Sequence, residues 1–206
     1  MKIIKPRIYL ASQSPRRREL LKQVGVNFEV LLLRADPRRR IDVDETPFAG
    51  EAPRDYVLRT CRAKAEAGHV VLGLRNLPPF PVMAADTTVT LDGKIFGKPG
   101  NEEHAADMLR RLSDREHQVL SAVALAMEDR IEVALSVSTV KFAVLTEERI
   151  RRYLLSGEHT DKAGAYGIQG QAAAFIEHLS GSYSGVMGLP LYETVQLLRR
   201  FGYPAP

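Results

Sequence analysis

An acid set into an apolar run is the first place in this chain where chemistry could happen. Val82, Met83, Ala84 and Ala85 read as a buried strand, and Asp86 then brings a charge that is costly to bury without a partner. Asp86 is therefore the first catalytic candidate, and the plain alternative is a strand-end Asp that caps nearby amides. Twelve residues on stands Lys98, after Val89 to Leu91 and Lys94 to Phe96 flank Asp92-Gly93, a two-residue turn suited to a tight hairpin. Regular pairing would set Thr87 opposite Lys98 and Asp86 on the other face. Convergence of Asp86 and Lys98 thus calls for a strand end or a bulge, with Gly97 a natural place for it.

Two further stretches carry anion chemistry. Ile8 to Ala11 reads as a short strand running into Ser12-Gln13-Ser14-Pro15-Arg16-Arg17, with Ser14 placed as helix N-cap and Pro15 at the first helical position. Free amides, the Ser12 and Ser14 hydroxyls, the positive end of the helix dipole and the Arg16 and Arg17 guanidiniums together suit phosphate. A capped surface helix with solvated arginines is the bland alternative. Asp161 to Gly170 holds three glycines in ten residues, so it can approach a ligand closely. Within it Gln169 could read a base edge, and Asp161 and Lys162 could serve metal or phosphate. An ordinary flexible loop would look the same.

Asp42, Asp44 and Glu45 form an acidic cluster without His or Cys, a set that suits a hard, oxygen-liking ion such as Mg2+ or Mn2+ but matches no specific metal loop. Lys64 falls on the more apolar side of a helix expected from Pro53 to about His69, where an ammonium must snorkel or meet an anion. Cys61, the only cysteine, leaves no internal disulfide and no Cys-based zinc site, and reads as packing.

The elements that must position these residues alternate between strand and helix. After a strand at Phe28 to Leu33, the helix from Pro53 and the turn-rich Asn76 to Pro81 lead into the Asp86 strand. Asn101 and Thr146 are N-caps of two amphipathic helices, and between these lie two long strands, Val119 to Met127 and Ile131 to Leu145. A short strand is expected at Ala172 to Ile176 and a last helix opening at Pro190. The 206 residues, 45% hydrophobic and 26% charged, suit one core or one domain of two lobes, with no apolar run near the roughly 20 residues of a membrane span. Nothing at the N-terminus resembles a signal peptide, so a cytoplasmic protein is expected. The net charge of +4 favours an anionic ligand without choosing among nucleotide, nucleic acid and acidic surface.

Taken together, Leu10 to Leu21, Ala85 to Val89, Gly97 to Pro99, His117 to Val119, Asp161 to Gly170, Gly181 to Tyr183 and Gly188 to Pro190 resemble, in order, the motifs of the Maf family of nucleotide pyrophosphatases. The resemblance covers nearly the whole chain. It implies a single domain over residues 1–206, α/β in class. The implied fold is an elongated mixed sheet with flanking helices and two lobes around a central cleft, similar to inosine triphosphate pyrophosphatases. It also implies hydrolysis of nucleoside triphosphates to monophosphate and pyrophosphate with a divalent metal, Mg2+ or Mn2+. Asp86 matches the family's catalytic acid, described as the proton acceptor. Arg16, Thr87 and Gln169 match the positions tied to substrate choice, and Gly-Ile-Gln-Gly looks like the branch acting on dTTP and UTP. Glu45, Lys64 and Lys98 match further active-site positions. On this basis Glu45 and Asp86 are expected to position metal or water, and Ser12, Ser14, Arg17, Lys64 and Lys98 to hold phosphate. A sister branch acting on 7-methyl-GTP, or a modified-nucleotide substrate, is the alternative within the enzyme reading. A nucleic-acid-binding regulator of septum formation is the rival outside it, although no aromatic stacking platform or DNA-binding motif supports it. A homodimer is an inherited expectation.

Overall fold

One ten-residue strand, Val82–Leu91, carries Asp86 in its middle and organises the rest of the molecule. The computed structural model describes residues 6–33 and 43–205; the Arg34 to Arg40 segment and Asp42 lie outside them. In chain order the strands are β1 (Ile8–Leu10), β2 (Phe28–Val30), β3 (Val82–Leu91), β4 (Lys94–Phe96), β5 (Glu116–Met127), β6 (Arg130–Phe142) and β7 (Ile176–Ser180). They form one mixed sheet ordered β2-β1-β3-β5-β6-β7, with β4 paired to β3. β1 runs parallel to β2 and β3, and every other pairing is antiparallel.

The sheet is continuous on one side of β3 and broken on the other. β5 pairs with β3 from Val82 to Thr90. On the opposite edge β1 reaches only Val82 and Met83, and β4 only Val89 to Leu91. Among the described residues, no strand covers Ala84 to Thr88 on that edge. A cleft enters the sheet at this gap, and Asp86 lies at its floor.

Helices flank the sheet as α1 (Pro15–Gln23), α2 (Pro53–Leu74), α3 (Glu102–Leu112), α4 (Glu147–Leu154), the short α5 (Tyr183–Met187) and α6 (Leu191–Arg200). α2 covers one face through Val57, Cys61, Ala65 and Leu72, packed on Ala84, Ala122 and Ala124. Gly68 lets it lie close, since a Cβ there would come within 2.6 Å of the Val82 Cγ1. On the other face α1 and α6 bury Leu20, Leu21, Leu197 and Leu198 against Met83, Ala85 and Val123. Beyond the cleft, α3 and α4 pack Leu109, Leu112 and Ile150 on Val89, Phe96 and Phe142. The two lobes thus share β3, β5 and β6.

β2 stops at Val30 rather than Leu33, β5 starts at Glu116 rather than Val119 and β6 ends at Phe142 rather than Leu145, and three further elements differ from the sequence expectation. The Asp86 strand is not ended by its acid but runs on to Leu91, because Asp86 finds partners from α2. α2 continues past His69 to Leu74, with Val71 and Leu72 buried on the same stripe. The segment expected as a strand at Ala172 to Ile176 is a 3-10 turn over Gln171–Phe175, and strand pairing begins only at Ile176. Three consecutive alanines favour a helical turn over an extended edge.

Candidate active site

Strand alternation decides which way the two central side chains point. Asp86 faces α2, while Thr87 faces the opposite side, where it meets Ser121 and approaches the Gly188 carbonyl at the end of α5. Both line the cleft, a cavity of about 930 Å3.

Asp86 is 7% exposed and held at both oxygens. Its Oδ2 accepts the Thr60 hydroxyl at 2.8 Å, and its Oδ1 accepts the Lys64 ammonium at 2.6 Å. Thr60 and Lys64 are four residues apart, hence neighbours on one face of α2. The same ammonium lies 2.9 Å from Glu45 Oε2, so Lys64 bridges two carboxylates. It meets anions rather than snorkelling. Tyr56, one turn before Thr60, donates its hydroxyl to the Glu45 carbonyl at 3.0 Å and steadies the segment that carries that acid. Burial, with Asp86 and Glu45 nearby, pushes the Tyr56 phenol up to about 12, so it stays a donor. Cys61 is buried and its thiol is pushed up to about 12, mainly by desolvation, which suits packing rather than attack.

The α1 end of the cleft is cationic. Arg17 donates from Nε to the Gly188 carbonyl at 2.8 Å and from Nη1 to Ser12 Oγ at 3.2 Å, and Arg16 Nε reaches the Met187 carbonyl at 3.3 Å. These bonds tie α1 to the turn after α5 across 171 residues of chain. Desolvation lowers both guanidiniums from their usual range, opposed for Arg17 chiefly by Asp86 and for Arg16 by Asp161. Ser14 stands at the N-cap position, but its side chain makes no capping bond; its amide instead donates to Ser12 Oγ at 3.2 Å. The Ser14 hydroxyl therefore stays available to a ligand.

From the far lobe, Lys98, Asp161, Lys162 and Gln169 also line the cleft. Lys98 gets there because β4 stops at Phe96, so a strand end supplies the convergence that the hairpin alternation forbids. Asp161 to Gly170 is anchored rather than loose. The Gly164 amide donates to the Gly97 carbonyl at 3.1 Å, and Tyr166 hydrogen-bonds His117 Nε2 at 2.8 Å. A side chain at Gly164, where φ is +68°, would strike Val89. Lys162 is lowered by desolvation and by Arg16 beside it.

The expected catalytic, specificity and phosphate-binding residues line this one cavity, five Arg and Lys side chains against Glu45, Asp86 and Asp161, whereas of the acidic cluster only Glu45 reaches it: Asp44 does not line it and Asp42 lies outside the described residues. Sequence reasoning did not assign a role to Thr60, Tyr56 or Ser121. The position of Thr60 on the stripe shared with Lys64 was the signal available for it. Among the described residues no three His, Cys, Asp or Glu side chains cluster closely enough to hold an ion by themselves. The donor set of Asp86 and Glu45 fits a hard cation whose remaining ligands are water and a phosphorylated substrate, the usual situation for Mg2+. The two acids already share one cation, Lys64.

The family described as Maf-like protein matches residues 7–201. A protein of Aromatoleum aromaticum named dTTP/UTP pyrophosphatase is 55% identical over 205 residues, covering 99% of this chain and 100% of its own. A Nitrosomonas europaea protein of the same name is 54% identical over 195 residues, with 95% and 94% covered. Among solved structures, the Staphylococcus aureus Ham1 protein is similar at a TM-score of 0.46 and 18% identity over 66% of this chain and 72% of that one.

Proposed function

The chain belongs to the Maf family, and from that premise we propose that it hydrolyses dTTP and UTP to the nucleoside monophosphate and pyrophosphate. The observation that carries the reading is Asp86: a nearly buried carboxylate on the open edge of β3, at the floor of a cleft otherwise rich in Arg and Lys. The nucleotide names of relatives more than 50% identical over 94 to 100% of their lengths supply the substrate class.

In the mechanism, water attacks the α-phosphorus. Its oxygen forms the new P–O bond, Asp86 takes its proton, and the bond to the bridging oxygen breaks so that pyrophosphate leaves with the electron pair. Arg16, Arg17, Lys98 and the hydroxyls of Ser12 and Ser14 hold the triphosphate, and the cations offset charge that develops on its oxygens. Lys64 keeps Asp86 and Glu45 together and lies beside the reacting end. Asp86 and Glu45 would hold a Mg2+ or Mn2+, which supplies Lewis-acid polarisation of phosphoryl oxygens when bound. Gln169 and Thr87 select the pyrimidine nucleoside.

The test is pyrophosphate release from dTTP, UTP, CTP, 7-methyl-GTP, GTP and ATP with either metal. Preference for dTTP and UTP is expected, with Asp86→Asn lowering kcat by about 10²-fold or more while the melting temperature is retained. A near wild-type rate in Asp86→Asn would remove the acid from this role, and turnover of 7-methyl-GTP alone would overturn the substrate.

A further inference from the structure

We infer that Ser121 is a positioning residue that fixes the direction of the Thr87 hydroxyl, so that Thr87 presents only lone pairs to the cleft and selects a hydrogen-bond donor on the nucleoside. The inference deepens the pyrimidine nucleotide reading and rests on it for the choice of ligands.

Ser121 stands on β5 directly opposite Thr87 of β3, is 1% exposed, and its hydroxyl lies 2.6 Å from the Gly185 carbonyl. A carbonyl can only accept, so Ser121 donates there, and a serine hydroxyl has one proton. The 3.0 Å contact between Ser121 and Thr87 must then be donated by Thr87. That uses the only proton Thr87 has. The Gly188 carbonyl, 3.4 Å from Thr87 Oγ1, already receives Arg17 Nε at 2.8 Å and has no need of it. What Thr87 turns to the cleft is therefore an acceptor of fixed direction.

An acceptor is selective because a nucleotide is chemically two-sided. The ionised phosphates offer acceptors alone, and lone pair facing lone pair is unfavourable, so Thr87 does not hold the triphosphate. Donors reside on the nucleoside. dTTP and UTP share two that are relevant, the imide N3–H of the base and the 3′-hydroxyl of the sugar. The placement agrees with this division, since Thr87 points away from Asp86 and Lys64 across the sheet. A site built to satisfy one hydrogen bond rejects the analogue that lacks it, because the buried partner is left without a mate.

Two ligands separate the two donors. CTP keeps the sugar hydroxyls and lacks the imide N–H; 2′,3′-dideoxythymidine triphosphate keeps the imide and lacks the 3′-hydroxyl. Affinities are measured by calorimetry with α,β-methylene analogues, which cannot be cleaved at that bridge, and pyrophosphate release from UTP and dTTP is measured separately. The unmodified protein should bind one of the two about tenfold or more weakly than its parent, UTP or dTTP, and whichever is weak names the donor. Ser121→Ala frees the Thr87 proton to turn toward the ligand, so that gap should shrink about tenfold, whereas Ser121→Thr, which keeps the hydroxyl, should preserve it. Thr87→Val should erase the gap by the other route and guards against a Ser121→Ala protein that melts early. An unchanged gap in Ser121→Ala, or no gap with either ligand, overturns the proposal. Selective binding without pyrophosphate release would instead leave the proposal standing and sink the pyrophosphatase reading.

Discussion

At the scale of single residues, the most consequential side chain beside Asp86 is Lys64. Its ammonium lies 2.6 Å from one carboxylate and 2.9 Å from another, with a side chain only 14% exposed. Removing one member of a shielded ion cluster does more than delete an attraction, because it leaves the others facing each other unpaired. Lys64→Met keeps the length of the stem and should lower kcat/KM at least about 10²-fold, since it takes a cation from the reacting end and lets Glu45 and Asp86 repel. Stability should also fall, by about 1 to 3 kcal/mol, through the unpaired Asp86. Chemical denaturation and steady-state kinetics on the same preparation read both. Full activity in Lys64→Met would mean that the bridge is only structural. Lys64→Arg is not a neutral control, because a planar guanidinium cannot reproduce a point charge between two carboxylates. Asp86 was legible in the sequence as a charge set in an apolar run, and Lys64 as a charge on an apolar helix face. Thr60 and Ser121 were not. A threonine in a helix stripe and a serine in a strand look ordinary until the fold brings them against residues 26 and 64 positions away, which local spacing does not encode.

At the scale of elements, α2 is the part whose placement matters most, because it delivers Thr60 and Lys64 to Asp86. Gly68 sets how closely it lies on the sheet. In an unobstructed helix, Gly→Ala stabilises by roughly 0.5 to 1 kcal/mol. Here the added methyl would sit 2.6 Å from Val82 Cγ1 and 3.2 Å from Ala11 Cβ, and Val82 is fully buried with a stiff χ1. Overpacking of this kind costs about 1 to 3 kcal/mol, so the sign reverses. Gly68→Ala should lower the melting temperature by about 2 to 8 °C, and adding Val82→Ala should recover part of the loss. A Gly68→Ala protein that melts higher than the parent would show that the helix shifts freely. The helices started by Asn101 and Thr146 were readable from sequence because side-chain caps and amphipathic stripes are local: both residues accept the expected backbone N–H. The end of α2 and the state of Gln171–Phe175 were not, since β-branched residues at the first and an alanine run at the second leave the choice to packing.

At the scale of the whole molecule, two lobes share a sheet that opens on one edge, and the far lobe must hold its loop in register with the near one. The buried pair of His117 and Tyr166 does this. His117 is 3% exposed, enclosed by Phe142 and Tyr166, with its Nε2 2.8 Å from the Tyr166 hydroxyl, and Tyr166 lies three residues before Gln169. Burial holds the imidazole down at about 4, against 6.5 for an unhindered histidine. Between those values the unfolded chain takes up a proton that the folded chain refuses, so stability rises with pH across the window and falls as pH drops from about 6.5 to 4. Over that span the contribution amounts to about 3 kcal/mol. Below pH 4 both states carry the proton and the term no longer changes. His117→Gln keeps a polar group for Tyr166 but cannot titrate. Urea midpoints measured at pH 7, 6, 5 and 4 should converge for the two proteins as the pH falls, with the parent losing stability faster. Parallel curves would overturn the assignment of this acid loss to the burial of His117.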